Sequence, residues 1–386
     1  MTPIQELILL AAATRERRQA ERERVTPLLR AVEWPELAQQ LAHGRLLPTL
    51  GPRIASLAGD EAPAELHEAA SAAVEACRRQ DALLLLIGQQ VIEALRARGI
   101  AAAALKGPGL GEELHGEAGR RLSSDIDLLV PAAQLREAVA VAATLGYEQP
   151  TDPVEEDGLP LLHFAMPHAE LPAVELHWRI HWYEARFAGE RLLPPDGADD
   201  GWRPEPVDRL VALLLYYARD GFTGMRQATD LAAWWDRFGA GLDDGELEAR
   251  LAAYPQLRPA VSAAARVADR VVGLPSARLL NGARLGGRGR VAVALADPRP
   301  YATLQQLYAE IALIDGLLTP RGGFGAYLRR QIAPSAEVIE DHTNKGLGAH
   351  MTSRAGYALR ILGRYALALG RLLRIPGTAG PRFATD

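Results

Sequence analysis

From Pro3 to about Arg98 the apolar residues recur at helical spacing, beginning with the stripe Ile4, Leu7, Leu10 and Ala11. A long helix is predicted over roughly Glu65–Arg98; it carries the run Leu83-Leu84-Leu85-Leu86-Ile87 and stops before Gly99. The period then changes. Ile100–Leu105 reads as a short buried strand, and Lys106-Gly107-Pro108-Gly109-Leu110-Gly111 leads from it into a short helix to about His115. Asp125-Ile126-Asp127-Leu128-Leu129-Val130 alternates as a strand does before turning into a core run. Pro131 opens a helix to about Leu145, which Gly146 closes. Tyr147–Gln149, His163–Met166 and Ala173–Ile180 read as further strands.

Leu193–Pro206 is rich in Pro, Asp and Gly and reads as a connector. Beyond it helices are predicted over Val207–Ala218, Thr229–Arg237, Gly245–Ala253, Leu257–Val272, Tyr301–Leu318 and Ser353–Arg374. The expected plan is an N-terminal helical region (1–75), an α/β or α+β core (76–182), a connector (183–206) and a C-terminal helical domain (207–386).

Composition narrows the class. With 386 residues, 48% of them apolar, and a net charge of −5, the chain can bury a sizeable core and is no strongly basic nucleic-acid binder. Cys77 is the single cysteine, so no internal disulfide forms, which fits a reducing compartment. Met1-Thr2-Pro3-Ile4-Gln5-Glu6 lacks the charged-then-apolar layout of a signal peptide. The runs Ala82–Gly88 and Leu210–Ala218 are too short to span a bilayer, so a soluble cytoplasmic protein is expected. The charge run Arg15–Arg24 is interrupted by Glu21 and Glu23 and reads as a solvated helix face. In the last helix Arg360, Arg364, Arg371 and Arg374 share one arc, beside Tyr357, Ile361, Tyr365, Leu369 and Leu372; this too reads as a solvated face on a packed helix.

Of 43 basic residues only Lys106 and Lys345 are lysine. Lys106 sits where a strand runs into a glycine turn and a helix N-terminus, a natural cradle for phosphate. Nineteen residues on, Asp125 and Asp127 form the only Asp-x-Asp in the chain. On a strand their carboxylates point to one side, where they repel unless a cation lies between them, and hard oxygen ligands suit Mg²⁺. Glu175 and His177 share one face of a later strand. A phosphate cradle, a paired carboxylate site and a third carboxylate are what metal-assisted displacement at a phosphate needs. Arg121 clamps a phosphate or pairs with Asp125; Ser123 binds phosphate or caps local backbone. His163, His168, His177 and His181 crowd one stretch, but no spacing matches a structural zinc pattern. Trp178 and Trp182 read as core or as base-stacking groups, and Arg226 with Asp230 as an i,i+4 pair.

Leu105-Lys106-Gly107, Arg121-x-x-x-Asp125-Ile126-Asp127-Leu128-Leu129-Val130, Leu145-Gly146-Tyr147 and Glu175-Leu176-His177-Trp178 together resemble the uncharacterised bacterial nucleotidyltransferases of the polymerase-β-like superfamily. The Arg-x-Ser-x-Asp-Ile-Asp form also resembles the nucleotidyltransferase-like abortive-infection toxins. The resemblance is most specific over about 100–180. It implies an α+β fold: a polymerase-β-like core, with a mixed sheet and helices, flanked by N- and C-terminal helical regions. It further implies that Asp125, Asp127 and Glu175 are catalytic and hold two Mg²⁺ ions. Lys106, Gly107, Gly109, Arg121, Ser123 and His177 would bind a nucleoside triphosphate such as ATP. Pro108 departs from the superfamily turn by removing one N–H, and Glu175 is a methylene longer than the more usual Asp. The acceptor stays open among a small molecule, a peptide, a protein and a tRNA end, as does the oligomeric state. Two other readings also stay open: a degenerate nucleotide-binding or scaffold protein, and the toxin of a toxin–antitoxin pair.

Overall fold

The computed structural model describes residues 2–149, 163–181, 183–184, 186–195, 197–198, 202–296, 304–320, 325 and 354–373. Helix α1 (Pro3–Ala12) starts on Thr2, whose side chain accepts from the Gln5 N–H while the Gln5 side chain reaches back to the Thr2 backbone. Helices α2 (Arg15–Ala20), α3 (Val25–Ala31), α4 (Trp34–His43) and α5 (Leu47–Ala58) follow. Helix α6 (Ala64–Arg96) runs unbroken through the domain boundary expected at 75/76. Leu84 and Ile87 are buried, whereas Leu83, Leu85 and Leu86 are exposed, so only one side of that apolar run is core.

The central block is β1 (Ala103–Ala104), α7 (Pro108–His115), β2 (Ile126–Leu129), α8 (Leu135–Thr144), β3 (His163–Met166) and β4 (Val174–His177). The strand expected over Ile100–Leu105 shortens to two residues. No strand forms at Tyr147–Gln149: Tyr147 is buried, and the Glu148 N–H makes a single bond to the Pro167 carbonyl. The helix after Pro131 opens as a 3-10 turn before α8 begins. The sheet order is β1-β2-β4-β3, with β2 and β4 parallel and both outer pairs antiparallel.

Strand alternation divides this mixed sheet into two kinds of face. Ile126, Leu128, Phe164, Met166, Val174 and Leu176 enter an apolar core shared with α6 and α8. Asp127, Glu175, His177 and His163 occupy the alternate positions and look the other way.

The remaining helices are α9 (Phe187–Arg191), α10 (Pro206–Arg219), α11 (Met225–Phe238), α12 (Glu246–Ala253), α13 (Arg258–Val272), α14 (Ser276–Leu279), α15 (Gly287–Leu295), α16 (Leu304–Leu318) and α17 (Arg354–Leu372). Helices α1, α4 and α5 share one large core with α10, α11 and α13, in which Leu7, Leu37, Leu50, Leu214, Trp234 and Val261 are fully buried. The Thr14 N–H donates to the Val272 carbonyl at 2.8 Å, tying the two ends of this core together. The helical regions expected at opposite ends of the chain are therefore one body. The Arg15–Arg24 run is part of its seam and not simply a solvated face: Arg18 pairs with Asp236 at 3.1 Å, and Arg17 donates to the Arg270 carbonyl. In α17 Leu369 is exposed; the side chains of Arg360, Arg364, Arg371, Arg374, Tyr357, Ile361 and Leu372 lie outside the described residues, as do Lys345 and Trp182. No helix among the described residues is long and apolar enough to cross a membrane.

Candidate active site

The parallel register sets Asp127 directly opposite Glu175 and Leu129 opposite His177. On the far side of β4, His163 is the cross-strand partner of His177. Four polar side chains thus converge on one patch of sheet. Lys106 approaches from the end of β1, its Nζ 2.7 Å from Asp127 Oδ1, and the Nε2 of His177 lies 2.7 Å from the same oxygen. His177 Nε2 is also 3.3 Å from Glu175 Oε2. Helix α10 closes the patch, with the Tyr216 ring 5.3 Å beneath the Lys106 ammonium.

The turn above Lys106 depends on glycine. Gly107 caps α7 at φ +93°, ψ −154°, a conformation that L side chains rarely adopt, although an added Cβ would meet nothing within 4 Å. Pro108 fills the first helical position, where its fixed φ suits the helix. The Gly111 N–H is the first to bond back, to the Gly107 carbonyl, so the N–H groups of Gly109 and Leu110 have no partner one turn earlier. Gly109 is exposed. A cavity of about 790 Å³ opens here, lined by Lys106, Gly109, Asp125 and Asp127, with Leu84 and Trp202 on its apolar walls.

The charges explain why the patch suits a cation. Burial first, then the neighbouring Asp127 and Glu175 charges, push the Asp125 carboxyl up from its ordinary value, with Lys106 and Arg226 opposing. Asp127 is deeply buried, which alone would raise it. The His177 hydrogen bond and the Lys106 charge outweigh that and hold it well below the carboxylate range. The His177 imidazole, 3.3 Å away, likewise lowers Glu175, against burial. Two ionised carboxylates beside a third that resists ionising form a donor set that a divalent cation would relieve.

The other sequence candidates lie elsewhere. Arg121 is buried and turned away from Asp125: its Nε donates to Asp230 Oδ2 at 2.9 Å, and its Nη1 to Ser123 Oγ at 3.3 Å. Of the two roles open to Arg121, the pairing is the one seen, with Asp230 in place of Asp125; Ser123 serves it as acceptor. Asp230 also faces His115 Nε2 at 3.6 Å, while Arg226 donates to the Leu122 carbonyl, so the expected i,i+4 pair does not form its hydrogen bond. The loop before Arg121 is pinned where Asp81 of α6 accepts from the Gly119 N–H. Trp178 is core, its ring tilted against Phe164 with centroids 5.1 Å apart, and His168 closes a local turn. His181 pairs with Asp315 at 2.8 Å.

Sequence reasoning passed over Arg219 and Tyr216. Arg219 lies 5.0 Å over the Tyr216 ring, with Nη1 buried and without a hydrogen bond, and its charge reaches both Asp127 and His163. Nothing local in the sequence marks them; only the packing of α10 under the sheet brings them in.

A family model described as uncharacterised nucleotidyltransferase matches residues 30–273, well over half of the chain. The chain belongs to that nucleotidyltransferase family. The match takes in every described strand and ends beside the last residue of α13, so the nucleotidyltransferase region includes α4, α5, α10, α11 and α13 of the large helical core as well as the sheet. No curated protein matches the chain, and no solved structure does.

Proposed function

We propose that this nucleotidyltransferase is Mg²⁺-dependent and moves a nucleoside monophosphate from a nucleoside triphosphate to an acceptor hydroxyl, with release of pyrophosphate. The observation that supports this best is the parallel register of Asp127 and Glu175, with Asp125 two residues before Asp127 and both aspartates lining the cavity beside the α7 N-terminus. Asp125, Asp127 and Glu175 would hold the ions. Mg²⁺ bound there would neutralise charge on the attacking and leaving oxygens.

The chain's own groups supply the rest. Lys106 offers a compact ammonium that can pass from Asp127 to a phosphate oxygen, and the Gly109 and Leu110 N–H groups point positive dipoles at the same anion. Glu175, held ionised by His177, accepts the proton of the acceptor hydroxyl. The new bond forms between that oxygen and the α-phosphorus, the bond to the bridging oxygen breaks, and pyrophosphate leaves with the electron pair.

A non-catalytic, nucleotide-binding reading has one observation in its favour: Lys106 and His177 both already occupy Asp127 Oδ1. Incubation with α- or γ-labelled nucleotides, Mg²⁺ and cell extract separates the two. Label transferred only from the α position supports nucleotidyl transfer; nucleotide binding with no transfer supports the alternative; transfer only from the γ position indicates a kinase.

A further inference from the structure

Beyond the three carboxylates, β3 and β4 bring two imidazoles to the same sheet face. One donor atom from each of His163, Glu175 and His177 lies within 4.8 Å of the other two. His177 Nε2 is 3.3 Å from Glu175 Oε2, and His163 Nε2 is 3.6 Å from that same oxygen. A good N–H···O bond closes to about 2.7–3.2 Å, so neither imidazole makes a short hydrogen bond to Glu175. Bonds of about 2.1 Å at tetrahedral angles set neighbouring donors roughly 3.4 Å apart. Both measured edges already have that length. To take an ion His177 must give up the Nε2 proton it shares with Asp127 Oδ1 at 2.7 Å, and that oxygen then borders a fourth side.

The rings are held by packing, with centroids 4.8 Å apart, and the Nδ1 of each is buried without a hydrogen bond. Nε2 is therefore the atom each ring turns toward Glu175. Two imidazole nitrogens beside one carboxylate are a poorer match for Mg²⁺ than for later first-row ions, which favour imidazole.

We propose that His163, Glu175 and His177 bind a divalent transition-metal ion of the Co²⁺–Zn²⁺ class, in preference to Mg²⁺. The ion shares Glu175 with the carboxylate set and so lies beside the transfer centre. Its part in nucleotidyl transfer rests on the function proposed above; its binding does not.

Titrating metal-free full-length protein with Co²⁺, without nucleotide, tests the site through the visible absorption of protein-bound cobalt and its displacement by Zn²⁺. One equivalent is expected, with Mg²⁺ failing to displace it at hundredfold excess. His163→Ala should weaken Co²⁺ binding at least tenfold, and His168→Ala, at a histidine that closes a local turn, should leave it unchanged. His163→Gln, which keeps the side-chain volume, repeats the test if the alanine variant is unstable. Wild-type affinity in both His163 variants would overturn the site, as would displacement by Mg²⁺. One equivalent of cobalt in a protein that transfers no label would uphold the site and remove the transferase reading instead.

Discussion

Two buried aspartates, Asp127 and Asp230, have the same partners in kind and opposite surroundings. Each has one cationic side chain and one histidine: Lys106 and His177 for the first, Arg121 and His115 for the second. Each is held below its ordinary value by those partners, against burial. The Asp230 cluster is sealed, its arginine only 6% exposed, and none of its members lines the cavity. The Asp127 cluster opens on that cavity, and its lysine is 20% exposed. A planar fork fixed by Asp230 and Ser123 holds two elements together. A point charge on a flexible stem can change partners when an anion arrives. The chain uses its one described lysine where the charge must be free to move.

The largest effect should come from removing the carboxylates of the open cluster. Asp125→Asn with Asp127→Asn should lower α-label transfer by on the order of a thousandfold or more while far-ultraviolet circular dichroism stays native. Transfer at the wild-type rate would break the comparison outright. Damage to the sealed cluster should read in stability. Asp230→Asn leaves Arg121 buried and unpaired and should cost about 3–5 kcal/mol in denaturant unfolding, and Arg121→Met with Asp230→Leu should recover most of it. An Asp230→Asn protein as stable as wild type would show that the pair holds nothing.

Exchanging the two cation types sharpens the contrast. Lys106→Arg should raise the KM for nucleotide roughly tenfold with little change in melting temperature, whereas Arg121→Lys should lower the melting temperature and spare KM. The smallest effect concerns pH. Asp125 is raised in the folded state, so its ionisation opposes folding once pH exceeds the unfolded value, and protonation relieves that as pH falls through the raised folded value. Asp125→Asn should therefore raise the melting temperature at pH 7, by about 1–2 °C after screening, and the gain should vanish near pH 4. For Asp230 the sign reverses: its stabilisation is present above the ordinary aspartate value and fades as pH falls through the lowered one.

Local chemistry made half of this site legible. The Asp125/Asp127 pair, the glycine turn after Lys106 and the shared face of Glu175 and His177 all follow from period-two alternation and turn chemistry within a few residues. The Arg121–Asp230 pair spans 109 positions, and no local pattern encodes it. The position of His163 was hidden for a related reason. Zinc spacing rules count along the chain, but His163 meets His177 across an antiparallel pair. The two-residue β1 and the missing strand at Tyr147 were over-read because short apolar runs also fill irregular core segments. That the N- and C-terminal helices share one core could not be read locally, because nothing in an amphipathic stripe says which distant stripe will cover it.

That shared core has a consequence for synthesis. The apolar face of α1 leaves the ribosome more than 200 residues before α11 and α13, on which it packs. At about 5–20 residues per second, this face waits on the order of ten to forty seconds for its cover, with α2, α3 and α5 nearby to shield it. A chain stopped after the four-stranded sheet would carry all three carboxylates on a scaffold whose floor had not yet been made.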